Sequence, residues 1–161
     1  MYIEGKFITY PEDLKEVYSI RREVFIEEQN IPETEEFDEY DKKAIFCVLY
    51  EENNSFNTQE KMAVATGRLV LLEDGSYKIG RIAVRKQFRG LQYGDMLVKM
   101  LVNKAFISGA KEVYVGAQIQ AKGFYQKIGF KEIGDEYLES NIPHIKMVLL
   151  PQNICKKCKN I

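Results

Sequence analysis

One stretch of the chain, from Arg81 to Leu101, most constrains the fold. It opens with a short apolar run typical of a β-strand, continues through a basic segment that contains Gly90 and Gly94, and ends in an apolar-rich pattern of helix formers. This order predicts a strand, a tight loop and a helix. Successive backbone N–H groups of such a loop point outward where the helix N-terminus concentrates partial positive charge, so the loop suits a phosphate or pyrophosphate.

The segments on either side of this stretch predict a sheet flanked by helices. The three predicted strands immediately before the loop are expected to be antiparallel, and the strand–helix–strand order around the loop favours a parallel crossover. The predicted strands are Ile3–Tyr10, Ala44–Tyr50, Met62–Leu72, Tyr77–Val84, Val113–Val115, Phe130–Tyr137 and Ile145–Leu150. The predicted helices are Glu12–Phe25, Met96–Phe106 and Ala121–Ile128, and a long polar connection over Glu51–Lys61 joins the second and third strands.

Length and charge restrict the class of protein. A chain of 161 residues fits a single domain over residues 1–150, followed by a polar, basic tail over 151–161 that we expect to be frayed. The net charge of −1 argues against nucleic acid as a partner. No apolar stretch approaches the roughly 20 residues of a membrane span, and the N-terminus lacks a signal-peptide pattern, so we expect no membrane partner and a cytoplasmic location.

The cysteines do not predict a disulfide framework or a metal centre. Cys155 and Cys158 have the spacing of half a zinc site, but the only histidine, His144, lies on the far side of Pro151. We therefore expect no metal. Cys47 lies within an apolar run and is expected to be a small buried residue.

An acidic segment follows the first predicted helix. Between Glu27 and Asp41 the chain carries eight carboxylates and no lysine or arginine, and we expect this segment to be irregular. One interpretation is a solvated loop, since runs of charge usually face water. The other is the rim of a site that concentrates a cationic substrate.

Two motifs resemble those of a known superfamily. Arg89–Gly94, with the letters RGLQYG, follows Ile82–Val84 and resembles the acyl-CoA loop of the GNAT-type N-acetyltransferases, and Gly123–Phe130 resembles the later motif of that superfamily. Within it, Ile20–Asn30 and Asn141–Ile145 are similar to the ElaA-like branch. The resemblance extends from the first helix to Leu150.

The resemblance implies both a fold and a reaction. The fold would be α/β, with a mixed α+β central sheet of six to seven mostly antiparallel strands, a splayed parallel pair and helices on both faces. The reaction would transfer an acetyl group from the cosubstrate acetyl-CoA to a primary amine of a small molecule or peptide, by direct attack in a ternary complex.

The resemblance also assigns residues to the acyl-CoA site. The strand Ile82–Val84 would pair with the pantetheine arm, and the amides of Gly90–Asp95 would receive the pyrophosphate, with added charge from Arg89. Gln92 stands where the superfamily has a glycine, and Gln118 stands where it has an asparagine; glutamine still offers its backbone N–H. The implied set is Ile82, Ala83, Val84, Arg89, Gly90, Leu91, Gln92, Tyr93, Gly94, Asp95, Gln118, Phe124 and Tyr125.

Acyl transfer to an amine needs an acid for the leaving thiolate and a base for the incoming ammonium. In the context of the second motif, the phenolic hydroxyl of Tyr125 is the candidate acid. The base stays open, because several side chains and a water chain would all serve. The candidate bases are Glu23, Glu27, Glu28 and His144.

Other functions fit parts of the pattern. A non-catalytic acyl-CoA-binding module would need the loop but not Tyr125. Dinucleotide binding is disfavoured, because the loop lacks the three-glycine spacing. A homodimer could form through a strand edge at Ile145–Leu150.

Overall fold

A seven-stranded sheet forms the centre of the protein. The computed structural model describes residues 2–55 and 58–154, and the strand order is β1-β2-β3-β4-β5-β7-β6. Neighbouring strands are antiparallel except for β4 and β5, which are parallel. The predicted mixed, mostly antiparallel sheet is therefore confirmed. The strands are β1 (Tyr2–Thr9), β2 (Ile45–Ser55), β3 (Thr58–Leu71), β4 (Tyr77–Val84), β5 (Val113–Gln118), β6 (Lys131–Glu139) and β7 (Ile142–Leu149).

Helices cover both faces of the sheet, as predicted. The helices are α1 (Lys15–Arg21), a π-helix (Arg22–Glu28), α2 (Glu33–Glu36), α3 (Tyr93–Ile107) and α4 (Lys122–Ile128). Apolar side chains of α3 and α4 pack on one face, around Leu97, Leu101 and Ile128. Those of α1 pack on the other face, around Val17 and Ile20. In the described part of the chain no helix is long and apolar enough to span a membrane.

The first helical segment differs from its predicted bounds at both ends. Its start moves from Glu12 to Lys15, because Asp13 Oδ1 accepts a hydrogen bond from the backbone N–H of Lys15 at 2.9 Å and Glu12 is held in a turn by Thr9. Its end moves from Phe25 to Glu28, because the chain continues as the π-helix. The prediction that Glu27–Asp41 is irregular is also wrong, since this segment contains the end of the π-helix, α2 and a 3₁₀ turn.

Two further predictions about the sheet need correction. Most of the predicted connection Glu51–Lys61 is strand, because β2 and β3 extend as a long antiparallel ribbon; Phe56 and Asn57 lie outside the described residues. The predicted edge at Ile145–Leu150 is not an edge, because β7 lies between β5 and β6. A homodimer would therefore need another surface.

The C-terminal segment begins with a 3₁₀ turn over Pro151–Asn153. Ile154 packs against the apolar cluster beneath α3. Residues 155–161, including Cys155 and Cys158, lie outside the described residues, so the expected frayed tail remains a prediction there.

Candidate active site

A gap between β4 and β5 is the centre of the site. The two strands pair only from Tyr77–Ile79 to Val113–Val115 and separate beyond this point. On its other side β4 carries a bulge, because Gly67 of β3 faces both Arg81 and Ile82. Arg81 has a φ of 52°, and the bulge turns β4 away from β5. The predicted splayed pair is therefore present.

A cavity of about 680 Å³ passes through this gap. It brings together eight of the residues assigned to the acyl-CoA site from the sequence. These are Ile82, Ala83, Val84, Arg89, Gly94, Gln118, Phe124 and Tyr125. The other assigned residues, Gly90, Leu91, Gln92, Tyr93 and Asp95, form the loop and the first turn of α3 beside the cavity.

The loop delivers backbone N–H groups to one end of the cavity. Gly90 and Gln92 both have positive φ, 80° and 65°, and α3 begins immediately afterwards at Tyr93. The first N–H groups of an α-helix have no partner within the helix, so those of Tyr93, Gly94 and Asp95 are available to an anion. This end of the cavity can therefore bind a phosphate group.

The side chain of Tyr93 holds the loop and does not face the cavity. It is buried, and its hydroxyl donates to Glu51 Oε2 at 2.6 Å. Burial and this hydrogen bond raise the pKa of Tyr93 to about 12. Only the backbone of Tyr93 is thus positioned to contact a cofactor.

Arg89 makes contacts that the sequence did not predict. Its two terminal nitrogens donate to the Glu28 carboxylate at 3.0 and 2.9 Å, and its Nε donates to Val84 O at 2.9 Å. The guanidinium expected to face a pyrophosphate is therefore held by a carboxylate of the π-helix. Such a bidentate pair has the geometry that arginine also uses to bind phosphate.

Two candidate bases are engaged elsewhere. Glu28 is bound by Arg89, and Glu23 forms a hydrogen-bonded ion pair with Arg85. Neither Glu23 nor Glu28 lines the cavity, and Glu27 is an exposed residue of the π-helix. The structure does not bring these three carboxylates to the site where a thioester would lie.

Tyr125 lies on α4 and reaches the cavity wall. Its ring packs edge-on against Phe124 and Phe130, with centroid separations of 4.9 and 5.5 Å. Burial in this aromatic surrounding raises the pKa of Tyr125 above its ordinary value. The phenol is therefore protonated at neutral pH, as a proton donor must be.

His144 also lines the cavity, from strand β7. Its Nδ1 is 2.6 Å from the carbonyl oxygen of Ile142, and because a carbonyl only accepts, Nδ1 carries the hydrogen. In the neutral ring Nε2 then holds the free lone pair. The ring also stacks on Tyr137, with centroids 5.7 Å apart. His144 is buried and lines the cavity, so it is placed to accept a proton there.

Gln118 links β5 to the residue that follows the π-helix. It lies at the end of β5, and its Nε2 donates to Gln29 Oε1 at 2.9 Å. Gln29 follows the π-helix, so the amide predicted at position 118 ties β5 to the end of that helix.

Three carboxylates of the acidic segment are bound by arginines and are not free. We call this group the buried charge cluster; its members are Arg21, Arg68, Arg81, Glu36, Asp38 and Asp41. Arg21 donates to Glu36 and Asp41 at 2.8 Å each, and Arg68 donates to Asp38 at 2.7 Å. Burial alone would raise the pKa of Asp38, but the hydrogen bond and charge of Arg68 hold it below its usual range. This part of the acidic segment is therefore neutralised by arginines and is neither a solvated loop nor a free cation-binding rim.

Most of the chain matches one known protein family. The model of the GNAT acetyltransferase domain matches residues 22–151. The chain belongs to the GNAT acetyltransferase family. This GNAT domain is 35% identical to the uncharacterized N-acetyltransferase YjcF of Bacillus subtilis, over 85% of the chain and 92% of YjcF.

Solved structures agree with this assignment. The GNAT domain superposes on Escherichia coli ElaA with a TM-score of 0.77 and 27% identity, covering 91% of this chain and 99% of ElaA. An acyl-CoA N-acyltransferase from Pseudomonas aeruginosa gives a TM-score of 0.76 at 27% identity, with 91% and 99% covered. The resemblance to the ElaA-like branch of the GNAT family is confirmed.

Substitution of Gln92 by glycine is expected to leave the GNAT domain active and slightly more stable. The left-handed conformation costs a non-glycine residue about 1–2 kcal/mol, and the added freedom of glycine in the unfolded chain offsets roughly 0.5–1 kcal/mol of that gain. Urea unfolding should therefore show a net stabilisation between zero and about 1.5 kcal/mol. The affinity for acetyl-CoA should change, because the loop amides move with residue 92.

The matched control for Gln92 is Leu91→Gly. Leu91 is an exposed neighbour without a positive φ, so glycine there should destabilise by about 0.5–1 kcal/mol. Complete loss of turnover in Gln92→Gly would contradict a loop that works through its backbone amides.

Proposed function

We propose that the protein transfers an acetyl group from acetyl-CoA to a primary amine. The observation that carries the proposal is the cavity through the β4–β5 gap, which connects the start of α3 with Tyr125 and His144. Membership of the GNAT family and likeness to an acyl-CoA N-acyltransferase support an acyl-CoA donor.

The donor would lie along β4. The edge of β4 that faces the gap is unpaired from Gly80 to Val84, so its backbone is available to the amides of the pantetheine arm. The pyrophosphate would receive the first N–H groups of α3, and Arg89 would exchange Glu28 for a phosphate oxygen. Val84, Gly94 and Phe124 would flank the arm, because they line the same part of the gap.

The reaction would proceed by direct attack in a ternary complex. A lysine-like amine has a pKa of about 10.4, so it arrives as an ammonium and must lose a proton before it attacks. His144 Nε2 accepts that proton and releases it to solvent. As the C–N bond forms and the C–S bond breaks, Tyr125 donates a proton to the thiolate and regains one from the second proton of the amine nitrogen. The products are an amide, free CoA and one proton released to solvent.

A titration of acetyl-CoA into the folded protein tests the donor assignment. We expect binding with one site per chain, and we expect CoA release in the presence of a panel of primary amines, with a product heavier by one acetyl group in mass spectrometry. Absence of acetyl-CoA binding would overturn the proposal. Binding without turnover of any amine would favour the alternative, a non-catalytic acyl-CoA-binding module.

A further inference from the structure

The hairpin of β6 and β7 carries a carboxylate that the mechanism above does not use. Glu139, the last residue of β6, lines the cavity, and its Oε2 lies 3.8 Å from His144 Nε2. It also approaches the floor of the gap, because a methyl group added to Gly116 would lie 4.0 Å from Oε2. Gly116 is the first residue of β5 beyond the segment that pairs with β4. Glu139 therefore reaches the point where the gap between β4 and β5 opens.

In the part of the chain that the structure describes, Glu139 differs from most other carboxylates of the cavity wall in having no arginine or lysine partner. Glu36 and Asp38 are bound by arginines of the buried charge cluster. Among the described residues, Glu35 and Glu139 are the carboxylates of the cavity wall that form no ion pair with lysine or arginine. Glu35 accepts a hydrogen bond from Ser140, which directly follows Glu139. Lys78 also lines the cavity, where β4 pairs with Tyr114 of β5, and it forms no ion pair with Glu139 among the described residues.

The distance between His144 Nε2 and Glu139 Oε2 allows one nitrogen atom of a ligand to lie within hydrogen-bond distance of both. At 3.8 Å, His144 Nε2 and Glu139 Oε2 are too far apart for a direct hydrogen bond. A nitrogen at about 2.8 Å from each would donate one N–H to the lone pair of Nε2 and another to the carboxylate. An ammonium group has donors for both contacts, and a hydroxyl has only one.

We propose that Glu139 is a specificity-determining residue that holds a cationic acceptor amine against His144 Nε2. This inference rests on the proposed function and names the substrate class of the same site: primary amines that are protonated in solution. Glu139 binds the ammonium by charge, and His144 takes one of its protons. Glu139 thus supplies the cation selectivity that the arginine-paired carboxylates Glu36 and Asp38 do not.

A comparison of Glu139→Gln with Glu136→Gln tests this assignment. Glu136 is exposed on the same strand, does not line the cavity and forms no ion pair among the described residues, so its variant removes the same charge from the other face of β6. The probe is 1,5-diaminopentane, titrated calorimetrically into each protein, with 1,5-pentanediol as the uncharged control. We expect wild type and Glu136→Gln to bind the diamine equally and Glu139→Gln to bind it about tenfold more weakly. Added salt should reduce this difference, since exposed charges are screened.

Steady-state kinetics give a second measurement. If Glu139 binds the acceptor, its variant should raise the KM for the diamine about tenfold, change kcat less than twofold and leave the KM for acetyl-CoA unchanged. If Glu139 had only a structural role, its variant would instead change the KM values for the diamine and for acetyl-CoA together.

Failure of this inference is distinguishable from failure of the proposed function. If acetyl-CoA binds but Glu139→Gln binds the diamine as wild type does, the Glu139 assignment is wrong and the acetyltransferase proposal stands. If the diamine binds through Glu139 but acetyl-CoA does not bind, the acetyltransferase proposal is wrong, and Glu139 binds an amine that is not an acetyl acceptor. No binding of the diamine to wild type at millimolar concentrations would also overturn the assignment.

Discussion

Replacing Arg21 with methionine is expected to lower the free energy of unfolding by about 3–5 kcal/mol. Arg21 is fully buried, and it donates to Glu36 Oε1, to Asp41 Oδ1 and, at 2.7 Å, to the Glu36 carbonyl. Removal of the guanidinium leaves the three carboxylates of the cluster with two arginine partners, so one negative charge is uncompensated. The cost of an uncompensated buried charge far exceeds any gain from the apolar replacement. Urea denaturation followed by circular dichroism measures the change.

The adjacent residue provides the control for Arg21. Arg22 also pairs with a carboxylate, Glu33, but the two side chains are 46% and 58% exposed. Exposed pairs typically contribute less than about 1 kcal/mol, so Arg22→Met should unfold almost as wild type does. Equal destabilisation by the two variants would show that burial is not the reason why the ion pairs of Arg21 contribute to the free energy of unfolding.

Replacing Tyr125 with phenylalanine is expected to lower kcat about 100-fold, which corresponds to the loss of a positioned general acid. The substitution keeps the ring that packs against Phe124 and Phe130, so the fold and the dissociation constant for acetyl-CoA should be preserved. A leaving thiolate would then depart unprotonated into the apolar surroundings that already disfavour an anion at Tyr125. Single-turnover measurements of CoA release isolate this step.

A tyrosine outside the cavity distinguishes a chemical role from a general loss of stability. Tyr77 donates its hydroxyl to Ser108 O at 3.1 Å and does not line the cavity. Tyr77→Phe removes a tyrosine hydroxyl and its hydrogen bond outside the cavity and should retain turnover. If Tyr125→Phe turns over a panel of amines as fast as wild type, the assignment of Tyr125 as the acid is wrong.

Local patterns predicted much of the fold, because the signals for it lie close together in the sequence. The strand, loop and helix from Arg81 to Leu101 were predicted from apolar periodicity and two glycines, and the parallel pairing followed from the order of elements. The long β2–β3 ribbon was not predicted, since its polar residues between Glu51 and Lys61 resemble a loop. There, pairing between strands outweighs weak local preference.

The charge cluster could not be predicted from the segments that form it. Its hydrogen bonds join Arg21 to residues 15 and 20 positions away, and Arg81 to residues more than 40 positions away. One signal was available: Arg21 lies on the same helical face as the apolar Val17 and Val24, where a charged residue must find a buried partner. The sequence could not show which of the eight carboxylates that partner would be.

The position of Glu139 depended on a register that only the folded hairpin defines. Glu139 pairs with Ile142 and Tyr137 pairs with His144, so the two-residue turn at Ser140 and Asn141 brings the carboxylate beside the imidazole. Both turn residues have positive φ without being glycine, and the sequence therefore gave only a weak turn signal. The sequence predicts that this strand ends at Tyr137, whereas β6 continues to Glu139 in the structure.

The bidentate contact between Arg89 and Glu28 has a thermodynamic consequence. The Glu28 carboxylate already binds the Arg89 guanidinium, so binding of the proposed donor at this arginine would exchange one anion for another. Glu28 ends the π-helix, and Val24 and Phe25 of that helix form part of the cavity wall. Release of Glu28 by the donor would therefore loosen the wall against which the acceptor binds. By linkage, an acceptor that favours the loosened helix would strengthen donor binding by the same factor.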